Sequence, residues 1–142
     1  MDGNVAKSKQ PCDMETVSAY RSAAQYLTAR ALSVETLDNL ALTPMTDDQL
    51  LCRVAADAAE DRLAHERNWT TSARSEYRNL VADLETGASK ATKETRQQMI
   101  TQVLRIEIAH YRALALIADG AYWQAISAEA TRILASKIES RL

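Results

Sequence analysis

The residues of this chain with the clearest chemical potential are a glutamate and a histidine in the segment Glu107-Ile108-Ala109-His110. On an α-helix, this spacing places the carboxylate and the imidazole on one face. Both groups are common ligands of transition-metal ions. Glu107 and His110 are therefore candidate metal ligands. The alternative is that His110 is hydrogen-bonded or faces solvent, and we favour it because such short coincidences are common in helical chains.

The Glu-x-x-His spacing resembles that of the di-metal sites in ferritin-like helical bundles. A complete site of that kind needs a second Glu-x-x-His pair and two more glutamates. The chain has one other histidine, His65, and the residue three positions before it is Arg62. Glu60, Asp61 and Glu66 lie near it in the chain and could serve as ligands in an incomplete site. A ferritin-like metal-binding bundle is therefore the second function that we consider.

Motifs for other chemistry are missing from the sequence. It has no Gly-x-Ser-x-Gly segment, and its 3 glycines cannot form a glycine-rich phosphate loop. The acidic pairs Asp47/Asp48 and Glu60/Asp61 are interpreted as capping and surface groups. No stretch approaches the ~20 apolar residues of a membrane span, and the chain opens with polar residues rather than an apolar signal core. We therefore expect a cytoplasmic, non-enzymatic protein without a cofactor.

The charge of the chain also argues against a nucleic-acid partner. The formal net charge is −2, and no basic stripe is visible. Contacts to phosphates supply most of the affinity of nucleic-acid-binding proteins, so such proteins usually carry a basic surface. A DNA-binding regulator with a short basic surface around Lys90, Lys93 and Arg96 is therefore only the weaker alternative.

Five aromatic residues are further candidates, and these are Trp69, Tyr77, Tyr111, Tyr122 and Trp123. All of them except Tyr111 are predicted to contact a partner protein. Tyr122 and Trp123 are adjacent, so on a helix they point in different directions. Tyr122 belongs to the apolar stripe of the last predicted helix, which leaves Trp123 at the edge of the bundle or outside it. An exposed tryptophan beside a helical turn suits a contact anchor, because Trp and Tyr are enriched in interface hot spots.

The elements that must position these residues are helices. Apolar residues recur at three- and four-residue spacing almost throughout, and no proline follows Pro44. This pattern predicts an all-α fold, an antiparallel bundle or helical-hairpin array of four to five helices. A flexible tail is expected over 1–12 and a single all-α domain over 13–142. Burial of Cys52 as a structural thiol is also expected, since it sits among apolar residues.

The expected helix boundaries follow from capping signals. Asp13 suits the N-cap of a first helix, and Ser33 suits the N-cap of a short second helix over 34–41. Thr46 and Gln49 form a capping box that starts a third helix, expected to run over about 47–86 and to end at Gly87. Weak helix formers occupy 68–72, which leaves open either one long helix, with or without a kink, or two helices. We prefer one long helix.

The next helix, expected to begin at Thr92 or Thr95 and to end at Asp119-Gly120, is apolar on two sides. One stripe consists of Ile100, Val103, Leu104, Ile108, Tyr111, Ala115 and Ala118, and the second of Met99, Ile106 and Ile117. Such a helix is usually central in a bundle or is shared with a partner chain. The last helix is expected to carry its apolar face on Tyr122, Ile126, Ala130, Ile133, Leu134 and Ile138.

The segment from Asp119 to Ile126 resembles the inter-helix turn of a tetratricopeptide repeat, and Ala113 falls where that family prefers a small residue. The resemblance covers one possible unit of the repeat and departs from it at Glu129 and Arg132. No second copy appears one period earlier. The resemblance therefore implies a helical hairpin at this point of the chain.

These observations favour a protein that works by binding another protein through helix faces, as an adaptor, inhibitor, immunity-type or regulatory factor. A helix of about forty residues would span about 60 Å, longer than a compact domain of this size is wide. Its ends would be exposed unless a second chain covered them. The sequence therefore predicts a homodimer with the long helix and the following helix at its interface.

Overall fold

Five α-helices account for most of the residues that the computed structural model describes, which are 8–35, 45–88 and 93–141. The helices are α1 (Met14–Leu32), α2 (Asp47–Arg67), α3 (Glu76–Ala88), α4 (Lys93–Ala118) and α5 (Gly120–Ser140). This arrangement confirms the predicted all-α helical bundle. None of the described helices is long and apolar enough to cross a membrane.

The core is centred on α2, which packs against α1, α3 and α4. Helix α5 packs on α1, and α4 contacts both α3 and α5. All five helices contribute buried apolar side chains to one cluster, among them Val17, Leu51, Leu80, Ile106 and Ile126. Burial of this cluster is the main favourable contribution to the stability of the bundle.

The α1–α2 contact contains small buried residues such as Ala23 and Ala59, which let the two helices approach closely. Cys52 of α2 is free and fully buried, as predicted. Burial, and secondarily the charge of Asp48, raises the pKa of its thiol to about 11. The thiol is therefore protonated at neutral pH, as expected for a structural cysteine.

Local capping motifs set two of the helix starts, and the first of them was predicted. The Thr46 hydroxyl accepts from the Gln49 backbone N–H (3.1 Å), while the Gln49 side chain accepts from the Thr46 backbone N–H (2.9 Å). Asp119 separates α4 from α5, and its carboxylate accepts from the Tyr122 backbone N–H (2.9 Å). Each bond satisfies an N–H that has no partner inside its helix.

The preferred single helix over 47–86 is wrong, because two helices occupy this part of the chain. Asn68 adopts a left-handed conformation (φ 53°, ψ 47°) and ends α2. The Trp69 backbone N–H then returns to the Ala64 carbonyl (2.9 Å). After a connection over 68–75, α3 begins at Glu76 and ends at Ala88, one residue beyond the predicted Gly87. Asparagine tolerates this conformation better than most residues, which explains the position of the break.

Ser33 ends a helix rather than starting one. Its backbone is left-handed (φ 55°, ψ 44°), it caps the C-terminus of α1, and the following Val34 N–H returns to the Ala29 carbonyl (3.0 Å). An N-cap residue would need an extended backbone instead. The predicted short helix falls mostly on residues 36–44, which lie outside the described residues. Thr92 also lies outside them, and α4 begins at Lys93.

Residues 8–12, part of the predicted tail, lie against the connection between α2 and α3. The Gln10 backbone N–H donates to the Asn68 carbonyl (3.0 Å), and the Thr70 N–H donates to the Gln10 carbonyl (2.8 Å). This isolated bridge pairs Gln10 with Trp69. It ties the start of the described chain to the point at which α2 and α3 separate.

Candidate functional site

The candidate metal ligand His110 lies on α4 and faces α3. Its ring is partly buried, with the Tyr77 ring 5.2 Å away and the Tyr111 ring 6.0 Å away between centroids. Its Nδ1 atom is buried and has no hydrogen-bond partner. The sequence favoured a His110 that is either hydrogen-bonded or exposed to solvent. The side chain is neither fully hydrogen-bonded nor fully solvated.

The described residues give the ferritin-like alternative no support. Across 8–35, 45–88 and 93–141, no three His, Cys, Asp or Glu side chains lie close enough together to hold a metal ion. The second histidine, His65, is exposed in the last turn of α2. Of the residues proposed for a basic DNA-binding surface, Lys90 lies outside the described residues, and Lys93 and Arg96 are exposed in the first turns of α4.

Beside His110 lies a polar cavity of about 220 Å³, lined by both acidic and basic side chains. Asp61 lines it, and partial burial, followed by the charges of Asp57 and Glu60, raises the pKa of the Asp61 carboxyl. Arg74 and Arg78 lie on the opposite wall, from the connection before α3 and from α3 itself. With charges of both signs around it, the cavity shows no preference for an anion or a cation.

A buried ion network that was not predicted from the sequence underlies this cavity. Arg21 of α1 donates to Asp57 (2.8 Å) and to Glu60 (2.8 Å), both on α2. The three side chains are at most 9% exposed. The interpretation of Glu60 as a surface group is therefore wrong. A signal was present, since Asp57 and Glu60 interrupt a run of alanines typical of a buried face.

The same carboxylates fix the start of α3. Asp57 accepts from the backbone N–H groups of Glu76 (3.0 Å) and Tyr77 (2.8 Å), two donors in the first turn of α3. Glu60 accepts from the Ser72 hydroxyl (2.9 Å) in the preceding connection. Side chains of α2 thus cap α3 from a distance in sequence, and Arg21 neutralises them. The network positions helices, since each of its three side chains is held by ion pairs or hydrogen bonds to another element.

Trp123 is buried, so its predicted exposure is wrong. Only 7% of the residue is exposed. Its ring lies against Tyr20 of α1 (5.4 Å between centroids), and its Nε1 donates to Glu66 of α2 (3.2 Å). The Arg62 guanidinium lies over the ring, 4.9 Å from the centroid. Trp123 joins α5 to α1 and α2, and its burial leaves little of the side chain for a partner to contact.

The other three predicted aromatic contacts are also partly buried. The Tyr122 hydroxyl meets the Thr28 hydroxyl (2.5 Å), and burial raises the pKa of Tyr122. Trp69 packs against the core with Arg67 over its ring (5.3 Å), and Tyr77 packs against the core from α3. The structure therefore does not bring the four aromatic residues together on an exposed face.

The exposed apolar surface lies on α4 instead. Five large apolar side chains point outward in a row, with exposed fractions of 55% for Ile100, 53% for Leu104, 60% for Ile108, 69% for Tyr111 and 38% for Leu114. Four of them belong to the first of the two stripes predicted for this helix. The opposite face of α4 is buried through Ile106, Ala109, Ala113 and Ile117. The α4 helix is therefore apolar on two sides, as predicted, and only one side faces the core.

A groove between α3 and α4 continues this surface. It has a volume of about 390 Å³ and is lined mainly by apolar side chains, with Leu84 from α3 and Met99 and Val103 from α4. Ile100 and Leu104 belong both to the groove and to the outward row. We call the row Ile100, Leu104, Ile108, Tyr111 and Leu114 the α4 face.

Comparisons with protein families, curated proteins and solved structures found no match to this chain. The function of this chain is therefore inferred from its own sequence and geometry.

Proposed function

We propose that this protein is a non-enzymatic interaction protein that binds another polypeptide chain through the α4 face. The observation that carries the proposal is the continuous row of large apolar side chains exposed along α4. Adaptors, inhibitors, immunity proteins and regulatory factors act through surfaces of this kind. This function is the one predicted from the sequence. The proposed contact residues lie on α4, in place of Trp123, Tyr122, Trp69 and Tyr77.

The size of the α4 face supports this role. From Ile100 to Leu114 the row extends about 21 Å along the helix, at ~1.5 Å per residue. Its five side chains expose on the order of 500 Å² together, within the range of the largest patches on monomeric proteins, which are often functional. Covering that area with another apolar surface would contribute roughly 12 kcal/mol before the losses of entropy on association.

The polar surroundings of the α4 face also suit a binding surface. Arg112 borders it on one side and is 45% exposed, and Glu107 borders it on the other and is half-buried. Interfaces between proteins commonly have an apolar centre and a polar rim of this kind. Charged residues at the rim contribute to the choice of partner more than to affinity.

Site-specific photo-crosslinking in the cells that make the protein tests the proposal. A benzophenone amino acid at Leu104 lies in the α4 face, and the same group at Ile138 lies on an exposed apolar position of α5 (58% exposed). We expect a covalent protein adduct from position 104 and none from position 138. Adducts from both positions alike, or none from position 104, would show that the α4 face is not a specific binding surface.

A further inference from the structure

The α4 face is self-complementary, and we infer that its partner is a second copy of this chain, with the two α4 helices packed in parallel about a two-fold axis. The inference rests on the proposed function and names the partner of the same surface.

A heptad register runs along the outward side of α4. Positions a and d of a heptad are those that face the partner helix in a coiled coil. Here the a positions are Thr101, Ile108 and Ala115, and the d positions are Leu104, Tyr111 and Ala118. All six residues are exposed, whereas the opposite side of the helix packs into the core of its own subunit. A second helix therefore reaches every a and d position without displacing a core residue.

The residue types at these positions favour two parallel strands. A β-branched Ile at a with Leu at d is the combination typical of parallel two-stranded coiled coils, and Ile108 and Leu104 provide it. We call the row of a and d positions the seam. Ala115 and Ala118 continue the seam with small side chains that allow the helices to approach closely. The outward side of α4 thus changes from large to small apolar residues along one line.

The charges beside the seam are complementary in a parallel pair. Glu107 occupies position g and Arg112 occupies position e of the next heptad. In a parallel coiled coil, g of one helix faces e five residues further along its partner, so Glu107 of each copy meets Arg112 of the other. In an antiparallel pair, e faces e and g faces g, so Glu107 of one helix would not meet Arg112 of the other. The charges therefore select the parallel orientation.

Both charged residues remain able to reach a partner. Glu107 forms no ion pair within the described part of the chain. Arg112 contacts Asp48 of its own subunit at 3.6 Å, and both side chains are 45% exposed. A solvent-exposed pair of this length contributes little, so it competes weakly with a pairing across the interface.

The buried area also fits a dimer. The α4 faces of two copies would bury on the order of 1,000 Å² in total, which reaches the lower limit for a specific interface. We therefore expect a reversible dimer, with a dissociation constant on the order of 1–10 µM. Sedimentation equilibrium of the purified full chain should give a mass of twice 15.7 kDa at high concentration. A monomer at about 100 µM would overturn the inference.

Two substitutions separate the seam from the rest of the surface. Ile108→Arg places two arginines opposite each other at the centre of the seam and should weaken self-association at least about 100-fold. Ile138→Arg changes an exposed apolar residue of α5 in the same way and should leave self-association unchanged. If Ile108→Arg dimerises as well as the wild type, α4 is not the interface.

A charge exchange tests the parallel pairing. Glu107→Arg and Arg112→Glu each create like-charged pairs across the axis and should weaken the dimer about tenfold, whereas the double variant restores opposite charges and should recover wild-type affinity. Because Arg112→Glu also places a carboxylate near Asp48, a thermal melt of each monomer controls for stability. A double variant no tighter than the single variants would overturn the parallel arrangement.

The benzophenone at Leu104 also distinguishes this inference from the proposed function. In the purified protein it should produce an adduct of twice the chain mass. An adduct to a different protein in cells, with no self-adduct in the purified sample, would overturn the second copy as partner and leave the interaction function intact. No adduct in either sample would overturn both.

Discussion

Replacing Arg21 by methionine should destabilise the whole bundle. Arg21 is the cation between Asp57 and Glu60, and all three side chains are buried. Methionine retains much of the aliphatic volume of arginine, so Arg21→Met isolates the loss of the charge from the loss of packing. The two carboxylates would remain buried without a counter-ion, although each would keep hydrogen bonds from the segment that leads into α3.

The magnitude follows from the two bonds that are lost. Arg21 donates one charge-assisted hydrogen bond of 2.8 Å to each carboxylate. Such bonds contribute about 1.5–3 kcal/mol each, and removal of one partner from a buried ion pair costs about 3–5 kcal/mol. The hydrogen bonds that persist from backbone N–H groups keep the loss within that range. We therefore expect the free energy of unfolding to fall by about 3–5 kcal/mol.

Urea denaturation followed by circular dichroism at 222 nm measures this loss. Two control variants sharpen the result. Arg21→Lys keeps the charge but not the planar fork that contacts two carboxylates, so its loss should be intermediate. The triple variant Arg21→Met, Asp57→Asn, Glu60→Gln removes the uncompensated charges while its amide oxygens still accept hydrogen bonds, so it should regain at least half of the lost stability.

A loss of less than about 1 kcal/mol for Arg21→Met would refute the reasoning. It would show that water solvates the three side chains in solution, because exposed ion pairs contribute only that much. A triple variant less stable than Arg21→Met would refute it differently, by showing that the two carboxylates stabilise the fold through their bonds to Ser72, Glu76 and Tyr77 even without the arginine.

Two further predictions concern Trp123 and Asp61. Trp123→Ala should lower the free energy of unfolding by about 3–5 kcal/mol, and Trp123→Phe by less, because Phe keeps the ring against Tyr20 but loses the hydrogen bond to Glu66. Thermal denaturation checks the order, and equal losses would contradict the contribution of the ring packed against Tyr20. Asp61→Asn should raise the melting temperature at pH 7, because burial and neighbouring carboxylates raise the pKa of Asp61 and so ionisation of Asp61 destabilises the folded state. The difference from the wild type should disappear as the pH falls below 3.8, the ordinary pKa of the group, where Asp61 is protonated in both states, and a difference that grows there would contradict the assignment.

The parts of the fold that the sequence predicted correctly depend on local interactions. The capping box at Thr46 involves residues three positions apart, so spacing alone was sufficient. The two apolar stripes of α4 were visible for the same reason. The sequence could not show which stripe faces the core, because that depends on the helices against which α4 packs.

The parts that the sequence missed depend on partners far along the chain. Asp57 and Glu60 are held by Arg21, 36 and 39 residues away. The run of alanines that they interrupt indicates their burial, but their own helix does not show which cation pairs with them. The break after α2 was missed for a different, local reason, since the pattern of residue types does not show the left-handed backbone at Asn68. Trp123 and Tyr122 are neighbours, and only the position of Tyr20 and Glu66 decides which of them is more deeply buried.

The contact between α1 and α5 has a consequence for the order in which the chain folds. Thr28 and Tyr122 meet across 94 residues of sequence, and Glu15 forms an ion pair with Arg141. Contacts between such distant positions form late, because the entropy of the intervening chain is lost before the contact stabilises the structure. During synthesis, part of the inward surface of α1 stays uncovered until α5 has emerged from the ribosome. Trp123 of α5 lies against Tyr20 of α1. In a Trp69→Phe variant, which leaves Trp123 as the one tryptophan of the chain, the fluorescence after rapid dilution from denaturant reports this closing step.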